Sequence, residues 1–178
     1  MQNEKVKNVT RMGMLFALAM ALSFLESALC PAFGMLPAVK IGLANIVVMY
    51  ALIYMGKKQA LTLVVLKAGF ALITRGVTAG TLSFCGSILS YLVLCALLAA
   101  PFHITGYILS ACGAIAHNLG QIAAAAVILG TSAVWGYAPV LVLSGLVVGG
   151  LTWQLFRSLT PYLSRLEGQG TKGTGKKE

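Results

Sequence analysis

The stretch TLSFCGSILSYLVLCALLAA, residues 81–100, runs for twenty residues without a charged side chain. About 20 predominantly apolar residues in a helix span the hydrocarbon core of a bilayer. The same character runs through the whole chain, because 58% of its 178 residues are hydrophobic and only 10% are charged. This balance lies far outside that of soluble domains, and amphipathic striping is almost absent. The sequence therefore predicts an all-α integral membrane protein.

Five further apolar runs are separated from this one by short polar, glycine-containing or proline-containing segments. The six runs cover about residues 12–28, 41–55, 60–73, 81–100, 104–129 and 138–156. Each is near the length of a membrane span, although the second and third need flanking residues to reach it. We expect six transmembrane helices in a membrane domain of residues 11–160. A cytoplasmic segment of residues 1–10 precedes this domain, and a basic, disordered tail of residues 161–178 follows it.

The basic residues indicate on which side of the membrane each connection lies. Ten of the thirteen lysines and arginines fall before the first run, between the second and third, or after the last. Cytoplasmic connections of membrane proteins carry an excess of such residues. The sequence therefore predicts a multi-pass protein of the cell membrane with both termini in the cytoplasm. The net charge of +9 follows mainly from this topology, and because the basic tail is short and glycine-rich we expect no nucleic-acid partner.

Polar side chains within the apolar runs are candidates for a binding site, because charged and amide groups are costly in hydrocarbon. Counted at about 1.5 Å per residue, all of them lie between the membrane midplane and the outer surface. The set comprises Glu26, Lys40, Asn45, Lys67, Arg75, His117, Asn118 and Gln121. Any single member is equally well explained by hydrogen bonding between helices. The set as a whole favours a solute pocket that opens to the outside.

The charges in this set indicate which solute such a pocket would hold. Glu26 is the only acidic residue of the predicted membrane domain, and it can pair with Lys40, Lys67 or Arg75. Whichever pair forms, at least two cations remain for an anionic or acceptor-rich ligand. Arg75 suits a carboxylate or phosphate because a guanidinium donates two parallel hydrogen bonds.

The spacing in the fifth run does not determine whether His117 or Asn118 faces the pocket. His117 and Gln121 share a helix face, whereas Asn118 points about 100° away from His117. The two neighbouring side chains therefore cannot both face the pocket.

An apolar segment connects the first and second runs on the outer side of the membrane. This segment, residues 29–39, carries Phe33, Gly34, Met35 and Pro37. An apolar connection that faces water is typical of a lid over a site. The alternative is a re-entrant cap that only packs on the helix ends.

The first run also carries small residues at helical spacing. Ala17 and Ala21 form one pair four residues apart, and Ala19 and Ser23 form another. Small residues at this spacing allow a second helix to approach closely, either in the same chain or in a partner.

The chain lacks the residue patterns of magnesium-dependent transfer, of ATP hydrolysis at a phosphate-binding loop and of a cysteine metal site. It contains no aspartate, and three of its four glutamates lie near its ends. Magnesium-dependent prenyl or phosphoryl transfer uses clustered carboxylates. The sequence also has no phosphate-binding loop, and its four cysteines lack metal-binding spacing. We therefore expect no catalytic residues, no metal and no cofactor in this chain.

Two segments carry a family resemblance: KIGLANIVVMYAL, residues 40–52, and GAIAHNLGQ, residues 113–121. They resemble the membrane family known as heptaprenyl diphosphate synthase component I, also called the Gx transporter family, over about residues 11–156. Members look like the S components of energy-coupling factor (ECF) transporters. In that class a six-helix protein captures a micronutrient outside the cell, and a shared transmembrane subunit with two ATPase subunits drives its release inside. The alanine motif that docks the shared subunit looks like Ala17 to Ala21.

The resemblance implies an S-component-like bundle that takes up a small anionic or aromatic nutrient. A vitamin, a flavin-related compound or an isoprenoid-quinone precursor would suit it, with ATP hydrolysed by the partner subunits. The family's name indicates an alternative, a membrane accessory subunit of a prenyl diphosphate synthase. A channel or a self-contained carrier fits less well, because no inverted repeat relates the two halves of the chain.

Overall fold

The computed structural model describes residues 2–32, 42–101 and 104–172. In this part of the chain it contains six α-helices, one short 3₁₀-helix and no strand. The α-helices are α1 (Gln2–Ala32), α2 (Asn45–Tyr54), α3 (Lys57–Arg75), α4 (Val77–Ala99), α5 (Gly106–Leu129) and α6 (Ala138–Lys172). The 3₁₀-helix, Ser132–Tyr137, leads into α6. The prediction of an all-helical protein is confirmed for these residues.

Four of the helical segments are long and apolar enough to cross a bilayer. They are Asn8–Ala28, Val77–Ala99, Gly106–Leu129 and Ser132–Ser158. These segments support a multi-pass membrane protein. α2 has ten residues, which rise only about 15 Å against a hydrocarbon core of about 30 Å. α3 has nineteen residues, but four of them are cationic. Six crossings and their direction therefore stay a prediction.

The connection between α3 and α4 is shorter than the sequence predicts. Gly76 alone separates the two helices, at φ 87° and ψ 176°. This backbone conformation is essentially confined to glycine. A glycine thus reverses the chain within one residue, and most of the predicted connection at residues 74–80 is helical.

The last helix is longer than its apolar run. α6 continues from Ala138 to Lys172 and includes Pro161, whereas the apolar pattern ends at Phe156. Much of the segment expected to be a disordered tail is therefore helical. Leucine, arginine and glutamate in the sequence SLTPYLSRLE favour a helix, and the glycine-rich composition that indicated disorder begins only at Gly168.

Glycines allow α4, α5 and α6 to pack closely. A Cβ atom added at Gly149 of α6 would lie 2.5 Å from the Cα of Ala111. One added at Gly120 of α5 would lie 2.9 Å from the Cα of Gly86. The three backbones therefore approach each other at places where only glycine fits. α1 lies at the edge of the bundle and, among the described helices, contacts only α2 and α3.

The short helix α2 lies inside the bundle. All residues from 45 to 52 are buried, and α2 contacts each of the other five helices. A helix that is apolar all round can be surrounded by other helices or by lipid, and α2 is surrounded by helices. Because α2 is enclosed in this way, the polar residues at its start are carried into the protein interior.

Candidate functional site

The start of α2 is joined to the second half of α1 by a carboxylate. The backbone N–H of Gly42 donates a hydrogen bond to Oε1 of Glu26. Glu26 is only 1% exposed. A carboxylate at such a position requires hydrogen-bond donors, because burial removes its hydration. Gly42, which precedes α2, supplies a donor, and the nearby N-terminal end of α2 supplies the positive end of a helix dipole.

A lysine and an asparagine form the second buried contact. Nζ of Lys67 donates to Oδ1 of Asn45 over 2.8 Å. Lys67 is 5% exposed and Asn45 is 8% exposed. Lys67 lies on the buried stripe of α3 together with Leu63 and Val64. Its ammonium group therefore stays in the interior and does not extend to the membrane surface.

His117 of α5 lies next to these two contacts. A Cβ atom at Gly42 would be 3.5 Å from Cδ2 of His117, and one at Gly86 would be 2.9 Å from its Cε1. The imidazole ring is thus between the start of α2 and the middle of α4. Gln121, one turn further along α5, packs against Gly86 through its Cγ, 2.8 Å from where that Cβ would lie.

These contacts define a polar cluster inside the bundle. Its members are Glu26, Asn45, Lys67, His117 and Gln121, and all of them are buried. They come from α1, α2, α3 and α5, so residues far apart in the sequence meet in one place. The cluster contains one carboxylate and one ammonium group.

Two other candidate residues form contacts between helices. Nδ2 of Asn118 donates to the carbonyl oxygen of Leu141 over 3.0 Å, which joins α5 to α6. Nη2 of Arg75 donates to the carbonyl oxygen of Ser23 over 3.0 Å, which joins α3 to α1. Of the two neighbours on α5, His117 thus belongs to the polar cluster and Asn118 faces α6. Arg75 lies at the same end of α1 as Glu26, because Ser23 precedes Glu26 by one turn.

The remaining candidates of the pocket lie outside the described residues. They are Lys40 and the lid residues Phe33, Gly34, Met35 and Pro37. Their roles stay predictions from the sequence.

A small cavity lies beside the polar cluster, between α2, α4, α5 and α6. Asn45, Ser90, Ser110, Gly113 and Thr152 are among the residues that line it. The volume available to the centre of a water molecule in this cavity is about 10 Å³. A cavity of this size holds roughly one water molecule. Pockets for small molecules typically enclose several hundred Å³. The cavity therefore has room for one small group of a ligand and not for a whole nutrient.

Ser110 and Thr152 are cavity residues that we did not identify from the sequence. Hydroxyl groups are common in apolar helices, where they often bond to the helix's own backbone. One signal was present for Ser110, which precedes His117 by seven residues and so lies on the same face of α5. Thr152 gives no comparable signal, because α6 has no other candidate to align with it.

The small residues of α1 divide between two faces. Ala17 and Ala21 are exposed on the face of α1 that is directed away from the other helices. Ala19 is 1% exposed and packs in the core, and Ser23 accepts the hydrogen bond from Arg75. Of the two pairs in the sequence, only Ala17 and Ala21 are accessible to a helix of another protein.

Metal-binding side chains are scattered in the part of the chain that the structure covers. Within it, no three His, Cys, Asp or Glu residues lie close enough together to hold a metal ion. The described cysteines Cys85, Cys95 and Cys112 have free thiols and are partly buried.

The family model described as heptaprenyl diphosphate synthase component I matches residues 15–158. This range covers most of the chain and includes the whole polar cluster and the cavity. The chain belongs to the heptaprenyl diphosphate synthase component I family. The resemblance indicated by residues 40–52 and 113–121 is thereby confirmed. No curated protein and no solved structure matches the chain.

Proposed function

We propose that this member of the component I family is the substrate-binding S component of an ECF-type transporter. It would capture a small solute outside the cell for ATP-driven uptake by partner subunits. The polar cluster is the observation that carries the proposal. Ionisable groups within a membrane bundle are costly, and where they occur they commonly serve a solute or ion pathway. Here Glu26, Lys67 and His117 lie together in an otherwise largely apolar interior.

The side chains of the cluster set the chemistry of the solute. Lys67 carries a cationic donor, and His117 and Gln121 can each donate and accept hydrogen bonds. Lys40 and Arg75 would add positive charge on the outer side in the predicted topology. We therefore expect an acceptor-rich nutrient, anionic or aromatic, whose ring or short tail packs against the apolar helix faces. A vitamin, a flavin-like compound or a quinone precursor has these properties.

The shared transmembrane subunit would dock on the face of α1 that is directed away from the other helices. α1 packs on α2 and α3 alone among the described helices, so its opposite face is available to a partner. Ala17 and Ala21 on that face are exposed and would let a partner helix approach closely. The ATPase subunits would then act through the shared subunit and not through this chain.

Native mass spectrometry of the protein purified from its own membrane tests the solute site. We expect a bound small molecule on the wild-type protein and a reduced amount on His117→Ala. The matched control is Gln154→Ala, which removes an exposed polar side chain of α6 and should retain the molecule. A wild-type protein that repeatedly carries no small molecule, and shows no shift in melting temperature with candidate nutrients, would refute the solute site.

Co-purification with the shared transmembrane subunit tests the docking face. Ala17→Trp and Ala21→Trp should abolish the association, because an indole ring prevents close helix approach. Ala123→Trp is the control, since Ala123 is an exposed alanine on α5 and should not affect binding. If all three variants associate equally well, α1 does not provide the docking surface.

The name of the family describes a component of a prenyl diphosphate synthase. An accessory role in such a synthase would become visible if the purified chain, added in liposomes, stimulated chain elongation by a soluble prenyl synthase. Stimulation together with the absence of any bound nutrient would replace the transporter proposal.

A further inference from the structure

Three polar atoms at the small cavity lack a hydrogen-bond partner in the part of the chain that the structure covers. They are Nδ2 of Asn45, Oγ of Ser110 and Oγ1 of Thr152. The three residues belong to α2, α5 and α6, and all of them line the cavity. They are 8%, 4% and 5% exposed. Three helices thus place these polar atoms beside one small cavity.

Buried polar groups in native proteins nearly always have a partner, either in the protein or in an ordered water molecule. Other hydroxyl groups of this chain find that partner in their own helix. The side chains of Thr62, Thr74, Thr81 and Thr160 each donate to the carbonyl oxygen four residues earlier. Ser110 and Thr152 make no such bond among the described residues and line the cavity instead.

We propose that this cavity is a binding site for one uncharged oxygen. The oxygen comes either from a water molecule or from a hydroxyl or carbonyl group of a bound solute. It accepts a hydrogen bond from Nδ2 of Asn45 and bonds to the hydroxyl groups of Ser110 and Thr152. The volume suits one such atom. None of the described residues that line the cavity is ionisable, so the lining itself offers hydrogen bonds to a neutral oxygen and no direct ion pair to a charged guest.

The site acts on the polar cluster through Asn45. The bound oxygen accepts a hydrogen bond from Nδ2 of Asn45 and so fixes the orientation of the amide group. Oδ1 of Asn45 then points to Nζ of Lys67, 2.8 Å away. Occupation of the cavity therefore positions the acceptor of a buried cation. With water as the occupant, the site is independent of transport; with a solute as the occupant, it rests on the proposed function.

A double-mutant cycle on the full-length protein in detergent tests the site. Ser110→Ala, Thr152→Val and the double variant are compared with wild type by their unfolding equilibrium in SDS. A shared oxygen couples the two hydroxyl groups, so we expect a several-fold departure from additivity in the unfolding constant. The control cycle pairs Thr152→Val with Thr62→Val. Thr62 is exposed on α3, which among the described helices makes no contact with α6, so its effect should add.

The two sources of the oxygen are separated by preparing the protein with and without bound small molecules, as monitored by native mass spectrometry. Coupling in the solute-free protein identifies water. Coupling only in the solute-bound protein identifies an oxygen of that solute. Additive effects in both preparations overturn the site, whatever the outcome for transport. Should a variant fail to fold, a wild-type structure that resolves ordered water decides instead: density bonded to the three side chains supports the site, and an empty cavity refutes it.

Discussion

Asn45 connects two different environments with one side chain. Its Oδ1 accepts a hydrogen bond from the buried Lys67, and its Nδ2 has no hydrogen-bond partner among the described residues, although Asn45 lines the small cavity. An amide group suits this position because it carries an acceptor and two donors on one rigid plane. Aspartate would lack the donor, and leucine would lack both groups.

Replacing Asn45 with leucine should therefore destabilise the protein. The change removes an acceptor from a buried ammonium group, and a hydrogen bond to a charged group contributes about 1.5–3 kcal/mol. We expect the free energy of unfolding to fall by about 2 kcal/mol, measured by tryptophan fluorescence during titration with SDS. Gln154→Leu, at an exposed position, should change stability little. Equal stability of the two variants would show that the contact with Lys67 contributes nothing.

Substitutions at Glu26 should separate its role as an acceptor from its charge. Its Oε1 accepts from the backbone of Gly42, and glutamine keeps an oxygen there whereas leucine does not. We expect Glu26→Leu to lower the free energy of unfolding by about 1–3 kcal/mol and Glu26→Gln to lower it less, in the same SDS assay. Equal losses in both variants would contradict the importance of the hydrogen bond and assign the effect to the charge.

At the scale of the helices, contacts at glycine determine how α4, α5 and α6 are arranged. The side chains that would otherwise separate these helices are missing at Gly86, Gly120 and Gly149. His117 reaches the start of α2 only because α5 lies this close to α4. The packing of the apolar helices thus sets the geometry of the polar cluster.

The contact between α5 and α6 can be tested with a single methyl group. Gly149→Ala would place a carbon 2.5 Å from the Cα of Ala111, so α6 must move away. Overpacking of this kind costs about 1–3 kcal/mol. Gly69→Ala is the matched control, because nothing lies within 4 Å of its added Cβ, and it should be neutral or slightly stabilising. A Gly149→Ala variant as stable as wild type would mean that the helices are not in close contact.

The sequence predicts some of these helices well and others poorly, for physical reasons. α4 and α5 end close to their predicted ends, because Pro101 and Gly130 interrupt the apolar runs at recognisable places. The sequence does not predict the end of α6, because hydropathy indicates only the part of a helix that lies in lipid, and a helix can continue into water.

The candidate site could also be predicted only in part: the depth of each residue in the membrane can be counted from the sequence, but the direction of its side chain cannot. Counting along the helices places Glu26, Asn45, Lys67 and His117 in the outer half of the membrane, and the structure brings them together. The different orientation of Asn118 depends on which neighbours surround α5. A helix that is apolar on nearly all sides carries no pattern from which those neighbours can be inferred.

At the scale of the whole molecule, the number of helices that cross the membrane is the main property to measure. Four segments are long enough to span the membrane, while α2 and α3 form a helical hairpin with exposed lysines, Lys57 and Lys58, at its turn. If all six helices cross, this turn lies in the cytoplasm.

Cysteine labelling in a variant without native cysteines should reveal the topology. Lys58→Cys should react with a membrane-impermeant maleimide only after the cells are permeabilised, because the predicted turn is cytoplasmic. Gly136→Cys, in the exposed 3₁₀-helix before α6, should react in intact cells. Labelling of both positions from the same side would rule out six crossings.

The enclosed position of α2 also has a consequence for how the protein is made. The machinery that inserts helices into membranes selects segments by their hydrophobicity and length. α2 has ten helical residues, about half of a full span, and α3 carries four cations. Neither helix is well suited to enter the lipid alone. The hairpin contacts other helices, among them the later-synthesised α4, α5 and α6. If it crosses the membrane as the sequence predicts, its insertion would depend on these neighbours, and insertion and folding of this segment would be one event.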